Sequence, residues 1–300
     1  MKIFKNILKK EMPFLFACPA ILWQFLFLYI PLFILFFYSF IFFSPTKKAV
    51  YFTIKYYSKI FELTYLQVIF NSFLLAFLTS VICLFIAYPI AYFLVIKVEK
   101  KYKTFLLVSL ILPSWTSLIV QIYAWFFLLE NNIFVFWLKK IGLIPEGLSF
   151  INNYFSILIG TVYCWLPFMI LPIYAVLDRM DKNLLEASAD LGASRFETLK
   201  RVVLPISVPG ILAGSALVFI PVFGEFAIPI LLGGGKIAFW GNIIVEKFLF
   251  LKDWKLGSAF AFTGVMLPLF IIFTIFYFYK IGIFLGKTIF LKRQSLNGRK

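Results

Sequence analysis

The chain has 300 residues, of which 63% are hydrophobic, and it carries a formal net charge of +16. A soluble domain of this length has too few buried positions to hide so much apolar surface. In a soluble protein the excess of lysine and arginine would favour a nucleic-acid partner, but its distribution along this chain favours a membrane.

Six segments without a charged residue divide the chain: 14–43, 66–96, 104–129, 147–177, 202–224 and 256–279. Each is long enough to cross roughly 30 Å of hydrocarbon as a helix. They are too long for the ~10-residue strands of a membrane barrel, and a helix satisfies its own backbone hydrogen bonds in lipid. The sequence therefore predicts an all-α polytopic membrane protein whose six transmembrane helices lie near 14–43, 66–96, 104–130, 154–177, 207–232 and 256–280.

An even number of spans places both termini on one side of the membrane. The segments on that side hold 19 of the 29 lysine and arginine residues, and they are 1–13, 97–103, 178–201 and 280–300. The positive-inside rule then predicts cytoplasmic termini in a bacterial inner membrane. Four lysines in the first outer loop run against this trend. The first apolar run has the length of an uncleaved span rather than of a signal peptide.

Prolines lie inside or at the edges of most predicted spans. A proline removes one backbone hydrogen bond from a helix, so these spans are predicted to be kinked or interrupted. The residues are Pro31, Pro89, Pro113, Pro167, Pro172, Pro221, Pro229 and Pro268. Such breaks suit a protein that rearranges around a central path, although proline is frequent in membrane helices in general.

The chain offers little chemistry for catalysis or for binding a metal. It has no histidine, and Cys18, Cys83 and Cys164 fall within spans without the spacing of metal ligands or of a redox pair. Packing is the ordinary role of such cysteines. We predict no catalytic residue and no metal site, and a membrane-embedded enzyme is the least favoured class.

Residues 178–201, between the fourth and fifth spans, carry ten charges in 24 positions. Asp178 and Asp181 occupy positions where the start of a helix favours acids, and good helix formers follow from Leu184 onward. The pattern predicts a short helix on the cytoplasmic side.

A second short helix is predicted directly after the first. Gly192 is placed to end the first helix in the left-handed conformation, and Ser194 with Glu197 matches a capping box. Pro205 is predicted to break or bend this second helix. On this chemistry alone the segment is either a solvated loop with interfacial helices or a docking element for another protein.

The spacing in this segment resembles the EAA signature of ABC-importer permeases, in which E-A-A is followed by three residues, G, nine residues and I-x-L-P. Here Ser188 replaces the second alanine and Val202 replaces the isoleucine. In that family the segment is a coupling helix that sits in a groove of the cytoplasmic ATPase. The resemblance implies that the ATPase-coupling residues are Glu186, Ala187, Ser188, Asp190, Gly192, Ser194, Arg195, Phe196, Leu204 and Pro205.

A wider resemblance covers about residues 66–280 and is densest at 165–255. There "LPFMILPIYAVLDRMDKNLLEASADLGAS" and "PGILAGSALVFIPVFGEFAIPILLGGG" look like the permeases of spermidine/putrescine importers. This resemblance implies a MetI-like core of five helices at 66–280, with a coupling segment at 178–206. Residues 1–65 would add the cytoplasmic amino-terminal tail, the first span and the first outer loop. A basic cytoplasmic tail, 281–300, would follow the core.

The same resemblance implies the partners. They are a cytoplasmic ABC ATPase dimer, a second homologous permease subunit and an extracytoplasmic solute-binding protein, all working around a chain embedded in membrane lipid. ATP would be bound by the ATPase subunit, so the chain itself is predicted to be non-catalytic and to need no cofactor. No nucleic-acid partner is expected.

One segment resembles a phosphate-binding loop and fails its spacing. "GIFLGKT", residues 282–288, has three residues between Gly282 and Gly286, where a Walker A loop needs four. It also follows a span rather than a strand. We interpret this segment and "GILAG" at 210–214 as small-residue pairs for helix packing.

Glu225 is the only acid in the apolar run 202–235. An ionised carboxylate is costly in hydrocarbon, so it is expected to face a cavity, a partner or a bundle interior. The run is too long for one straight span, and its outer end is expected to turn back toward the path that the substrate takes through the membrane. We predict that Glu225, Phe223, Phe226 and Trp240 line the substrate path, because carboxylates and aromatic faces attract polycations. Alternatively, Glu225 satisfies freed backbone groups or pairs with a lysine of the partner permease.

The leading hypothesis is a permease subunit that passes putrescine or spermidine inward by alternating access, driven by ATP. Within the family, ferric ion, a phosphonate or thiamine is the alternative solute. An ion-coupled secondary transporter is less favoured, because only Glu225 is available as an intramembrane ionisable group. The acids near the outer loops, Glu130, Glu246 and Asp253, are interpreted as solvated charges.

Overall fold

The computed structural model describes residues 17–44, 49–130, 140–141 and 150–297. Within that part of the chain, five helices are long and apolar enough to cross a membrane, and a bent pair of helices makes a sixth candidate span. The predicted all-α, six-span architecture is confirmed.

The helices, in chain order, are α1 (Ala17–Phe40), α2 (Lys55–Ser58), α3 (Leu63–Ile96), α4 (Lys100–Ile111), α5 (Leu118–Glu130), α6 (Tyr154–Asp178), α7 (Asn183–Asp190), α8 (Arg195–Phe223), α9 (Ala227–Gly233), α10 (Trp240–Val245) and α11 (Trp254–Asn297). A short antiparallel hairpin follows α1 and pairs β1 (Ile41–Ser44) with β2 (Ala49–Phe52). The hairpin was not predicted from the sequence.

The third span is broken rather than continuous, which corrects the single helix predicted at 104–130. A 3-10 turn at Leu112–Trp115 follows α4, and α5 leaves at 89° to it. Pro113 lies in that turn, where its missing N–H cannot continue the helix. The side-chain amide of Gln121 donates to the carbonyls of Pro113, at 2.9 Å, and Thr116, at 3.1 Å. The break is thus stabilised by hydrogen bonds of its own.

Other prolines do not interrupt their helices, and whether they kink them stays a prediction. The prolines inside continuous helices are Pro89 in α3, Pro167 and Pro172 in α6, and Pro268 in α11. Pro205 does not end its helix either. A π-helical turn at Leu199–Val203 precedes it, and α8 continues to Phe223.

The chain divides into two compact units, and the first comprises residues 1–65 and 244–263. In its described part the hydroxyls of Ser39 and Tyr57 lie 2.7 Å apart. The rings of Tyr65 and Phe260 meet edge to face at 4.8 Å. These contacts join the end of α1, the α2 region and the start of α11.

The second unit comprises residues 66–243 and 264–300, and its core is the packing of α6 against α8. A Cβ atom on Gly210 would lie 2.8 Å from the Pro172 carbonyl oxygen, and one on Gly214 would lie 2.8 Å from the Met169 sulfur. The two helices therefore approach closely only because these positions lack side chains. The interpretation of "GILAG" as a packing pair is confirmed.

The carboxyl-terminal helix α11 extends well beyond the predicted span and reaches Asn297. The backbone of the "GIFLGKT" segment is therefore helical, not a phosphate-binding loop. Its side chains lie outside the described part of the structure. The domain limits at residues 65 and 280 stay a prediction.

Candidate functional site

The charged segment after α6 forms the short helix α7, a bend and the first turns of α8. The predicted bend is present, but the second helix is not short, because α8 continues to Phe223. α7 ends at Asp190, and Gly192 follows with φ +77°, the left-handed conformation expected for it. At the start of α8 the Ser194 hydroxyl accepts from the Glu197 N–H at 3.3 Å, and the Glu197 carboxylate accepts from the Ser194 N–H at 3.0 Å. The predicted capping box is confirmed.

The two aspartates before α7 have different roles. Asp181 accepts a hydrogen bond from the Asn183 N–H at 3.0 Å, as expected for an acid that precedes a helix. Asp178 is instead the last residue of α6, and its carboxylate pairs with the Lys103 ammonium at 2.9 Å. The prediction that Asp178 starts a helix is wrong, because the preceding span continues one residue further than its apolar run.

A side-chain contact closes the bend between the two helices. The hydroxyl oxygens of Ser188 and Thr198 lie 2.8 Å apart. Further hydrogen bonds within the turn run from the Gly192 N–H to the Ala189 carbonyl, at 2.8 Å, and from the Ala193 N–H to the Ser188 carbonyl, at 3.1 Å. The angle between α7 and α8 is therefore set by side chains as well as by the glycine.

The coupling residues predicted from the resemblance lie on one short segment, and almost all are exposed. Ser188 is half-buried, while the exposed ones are Glu186, Ala187, Asp190, Gly192, Ser194, Arg195, Phe196, Leu204 and Pro205. Leu191 is 88% exposed and Phe196 is 71% exposed. An unpartnered apolar pair at a rigid bend is a surface suited to docking. Leu191 was missed because it sits between a helix and its terminating glycine, outside the amphipathic pattern.

Glu225 lies in the break between α8 and α9 and is 6% exposed. Its carboxylate accepts from the N–H groups of Phe226 and Ala227, both at 3.0 Å. The first amides of α9 have no partner inside the helix, so the carboxylate satisfies groups that the chain break leaves free. This geometry matches the alternative of a backbone-satisfying role that the sequence left open.

A cavity of about 540 Å³ lies beside Glu225. The start of α5 supplies Leu118 and Ile119, and the α8–α9 break supplies Gly224, Glu225 and Phe226 with their neighbours. The break between α4 and α5 and the break between α8 and α9 thus lie at one apolar cavity, and a carboxylate forms part of its wall. From the sequence we did not predict that these two breaks line the same cavity.

The predicted path residues separate into two groups. Phe226 is 44% exposed and lines the cavity together with Glu225. Phe223 and Trp240 are 1% and 0% exposed and do not line it. The Trp240 N–H donates to the Ser72 hydroxyl at 2.7 Å, which packs the start of α10 against α3.

Two of the outer acids have structural partners. Glu246 accepts a hydrogen bond from Lys247 at 3.2 Å, and Asp253 accepts from the Leu256 N–H at the start of α11. Burial works against the charge of Lys247, but the hydrogen bonds and charge interactions with Glu246 and Tyr65 together outweigh it and raise the pKa of this lysine above its usual value. Among the described residues, no cluster of His, Cys, Asp or Glu could hold a metal ion.

The binding-protein-dependent transport system inner membrane components form a family that matches residues 87–280. This chain belongs to that family. The resemblance to importer permeases drawn from the EAA-like segment and its flanks is thereby confirmed, and the chain is a multi-pass inner membrane component.

Relatives of this inner membrane component are found among polyamine transport proteins. It is 37% identical over 241 residues to the spermidine/putrescine transport system permease protein PotB of Haemophilus influenzae, covering 80% of this chain and 83% of that protein. PotB of Escherichia coli is 37% identical over 216 residues, covering 71% of this chain and 77% of that protein.

Solved structures confirm the fold of this component. A crystal structure of a bacterial ABC transporter involved in the import of the acidic polysaccharide alginate contains a chain that matches with a TM-score of 0.70. The identity is 17%, and the match covers 93% of this chain and 99% of that one. A bacterial alginate ABC transporter in complex with its alginate pentasaccharide-bound periplasmic protein also gives a TM-score of 0.70.

Proposed function

We propose that the chain is the permease subunit of an ATP-driven importer and forms the path for putrescine or spermidine across the inner membrane. The single observation that carries the solute class is the 37% identity to spermidine/putrescine permeases over 71–80% of the chain. The alginate transporters support the fold but not this solute, because they are far less similar in sequence.

The bend at Gly192 is the proposed contact with a cytoplasmic ATPase dimer. Leu191 and Phe196 supply exposed apolar anchors, and the small Ala187 and Gly192 permit close approach of a partner surface. The ATPase would bind and hydrolyse the nucleotide, and the bend would carry its movement into α6 and α8. The chain then needs neither a catalytic residue nor a cofactor.

The cavity at the α8–α9 break is the proposed part of the substrate path. Glu225 and Phe226 combine a carboxylate with an aromatic ring, the two groups that attract an alkylammonium.

A second, homologous permease would complete the path. An extracytoplasmic solute-binding protein would deliver the polyamine, a role supported by the periplasmic protein bound to the alginate transporter. Both termini of this chain would then be cytoplasmic.

Uptake by the reconstituted complex tests the solute. We expect proteoliposomes that hold both permeases and the ATPase dimer to accumulate labelled spermidine or putrescine when binding protein and ATP are present. Ferric ion, a phosphonate and thiamine serve as competing solutes. Accumulation of one of these without polyamine uptake would contradict the proposed solute, and uptake driven by an ion gradient without ATP would contradict the importer.

Crosslinking tests the docking surface independently of the solute. In a variant with the exposed Cys18 replaced by serine, Leu191→Cys places one reactive thiol at the bend, since Cys83 and Cys164 are buried. We expect it to capture the ATPase. Lys236→Cys, exposed and outside the bend, is the matched control and should not. Equal capture from both positions would remove the assignment.

A further inference from the structure

An apolar groove lies between the end of α3 and the second half of α4. Its volume is about 460 Å³, within the roughly 300–1,000 Å³ typical of pockets that hold small ligands. The groove opens on the outside of the helix pair, since Phe93 in its wall is 56% exposed. The residues that line it include Pro89, Ile90, Phe93, Leu94, Leu106 and Ser109.

The lining of this groove suits hydrocarbon and not a polar solute. Ser109 is the one hydroxyl residue among those that line it, and its Oγ already donates to the Phe105 carbonyl within α4 at 2.9 Å. A polar ligand would therefore lose its water without gaining a partner. An alkyl chain would lose only unfavourable contact with water.

The mouth of the groove is cationic. The turn at residues 97–103 contains four lysines and a single acid, Glu99. Lys103 is held by Asp178, whereas Lys97, Lys100 and Lys101 are exposed and make no ion pair within the described residues. The turn thus presents an excess of positive charge that the described part of the protein does not neutralise.

The cationic turn and the groove are continuous. The Lys97 N–H donates to the Phe93 carbonyl at 2.9 Å, so Lys97 lies one helical turn above the groove on the same face as Phe93. On α4, Lys101 precedes Leu106 by five residues, which is about 7.5 Å of helix rise and roughly 140° around the helix axis, so its ammonium reaches the mouth only through its long stem. Lysine stems cover apolar surface while their ammonium groups reach the water. Hydrocarbon is therefore favoured in the groove and an anion directly above it.

We propose that this groove binds an acyl chain of an anionic phospholipid whose phosphate contacts Lys97, Lys100 and Lys101. A polyamine is excluded because the mouth repels a polycation. A basic turn beside an apolar cleft between membrane helices is the pattern that recognises acidic lipid headgroups. The site does not depend on which solute the importer carries. The Lys103–Asp178 ion pair links the turn to the end of α6, where the coupling segment begins.

Lipid retention by the assembled complex tests this site. The complex is placed in nanodiscs of phosphatidylcholine with a minor fraction of phosphatidylglycerol, and the lipid retained after transfer to detergent is measured by native mass spectrometry. Wild type should retain phosphatidylglycerol above its share in the bilayer. The combined Lys97→Gln, Lys100→Gln and Lys101→Gln variant should retain about a hundredfold less, given the attraction of each of the three lysines to acidic lipid.

Matched variants separate this site from general electrostatic attraction. Gln at three exposed lysines elsewhere, Lys55, Lys236 and Lys252, makes the same change of charge and should leave retention unchanged. Ser109→Trp fills the groove and should lower retention with the lysines intact. Ser109→Leu is a smaller filling variant in case the tryptophan prevents insertion.

The remaining outcomes overturn the proposal. Equal retention by the two triple variants would show that this turn has no special affinity for lipid. If lipid retention falls in the lysine variant but in neither filling variant, the lysines attract the headgroup and the groove does not bind the acyl chain. Displacement of the lipid by inorganic phosphate would indicate a free-phosphate site. Crosslinking of Phe93→Cys to the second permease would show that protein, not lipid, covers the groove.

Discussion

The hydroxyl oxygens of Ser188 and Thr198 meet at 2.8 Å across the bend between α7 and α8. Ser188 stands where the EAA signature has its second alanine, so a departure from the signature supplies a direct tie between the two helices. An alanine at this position would leave the bend to the glycine, the capping box and the backbone hydrogen bonds of the turn. In this chain the bend therefore has one more constraint than the signature requires.

Ser188→Ala should loosen this bend without abolishing transport. Loss of one half-buried hydrogen bond costs about 0.5–1.5 kcal/mol, which corresponds to roughly a twofold to tenfold increase in local opening. Hydrogen exchange of the backbone amides between residues 189 and 198 measures it. Thr198→Val should have a similar effect, and the double variant should add little to either single one. Additive effects would show that the two hydroxyls do not interact.

Gly192→Val should uncouple ATP hydrolysis from the loaded binding protein. A Cβ at this position would meet nothing within 4 Å, so the cost arises from the backbone φ of +77°, about 1–3 kcal/mol for a residue held in an unfavourable region. The bend is expected to change shape rather than tolerate that strain. The measurement is ATPase activity of the whole complex with and without loaded binding protein.

Two controls make the glycine result specific. Gly192→Asn should keep coupling, because asparagine adopts the left-handed conformation readily. Gly235 has φ +68° with equally open surroundings, so Gly235→Val introduces similar strain outside the bend and should leave coupling intact. Normal stimulation in Gly192→Val, or its loss in Gly235→Val, would contradict a special role of this glycine.

Gly214→Ala should destabilise the packing of α6 on α8. The new Cβ would lie 2.8 Å from the Met169 sulfur, and overpacking of this kind costs about 1–3 kcal/mol. Met169 is fully buried, so Met169→Ala is itself destabilising, and the double variant should be less destabilised than the sum of the two single variants because the sulfur is then removed. Thermal unfolding of the detergent-solubilised permease measures both variants. Gly224→Ala, whose Cβ would meet only an atom at 3.8 Å, is the control.

Substitutions of Glu225 distinguish its charge from its hydrogen bonds. Glu225→Gln keeps an oxygen that can accept from the Phe226 and Ala227 amides, so stability should be unchanged, while uptake should fall through a raised KM for polyamine. Glu225→Ala leaves buried amides without a partner and should also cost about 1–3 kcal/mol of stability. Wild-type uptake by the glutamine variant, with loss only in the alanine variant, would reduce Glu225 to a structural role.

The bend at Gly192 and the capping box after it were predicted correctly because their signals are local. A glycine that ends a helix and a serine that begins the next one act through atoms only a few residues apart, so Gly192 and Ser194 could be placed from sequence alone. For Pro113 the sequence predicted a kink or an interruption without deciding between them, because it does not say whether a neighbouring helix supports the proline or whether the chain turns.

Contacts between residues on distant helices were harder to predict from the sequence. Trp240 was expected near Glu225 because the outer end of the run 202–235 was predicted to turn back toward the substrate path, yet Trp240 is fully buried and bonded to Ser72, 168 residues earlier. Such a contact depends on which faces of two distant helices meet, and an almost uniformly apolar span has no polar face to reveal its orientation. The cavity between the two broken spans went unpredicted for the same reason.

The sequence by itself determined that the chain is a bundle of six spans with a charged bend between two helices on one side. It also determined that the residues around this bend resemble importer permeases. Hydrocarbon thickness, helix geometry and capping chemistry act along the chain, so their consequences can be derived from residue order. Only the tertiary structure decided which prolines break a helix, where Glu225 finds its hydrogen bonds, and that an apolar groove lies beneath a basic turn. These depend on close packing between residues far apart in the chain, where the presence or absence of a single Cβ atom selects one arrangement.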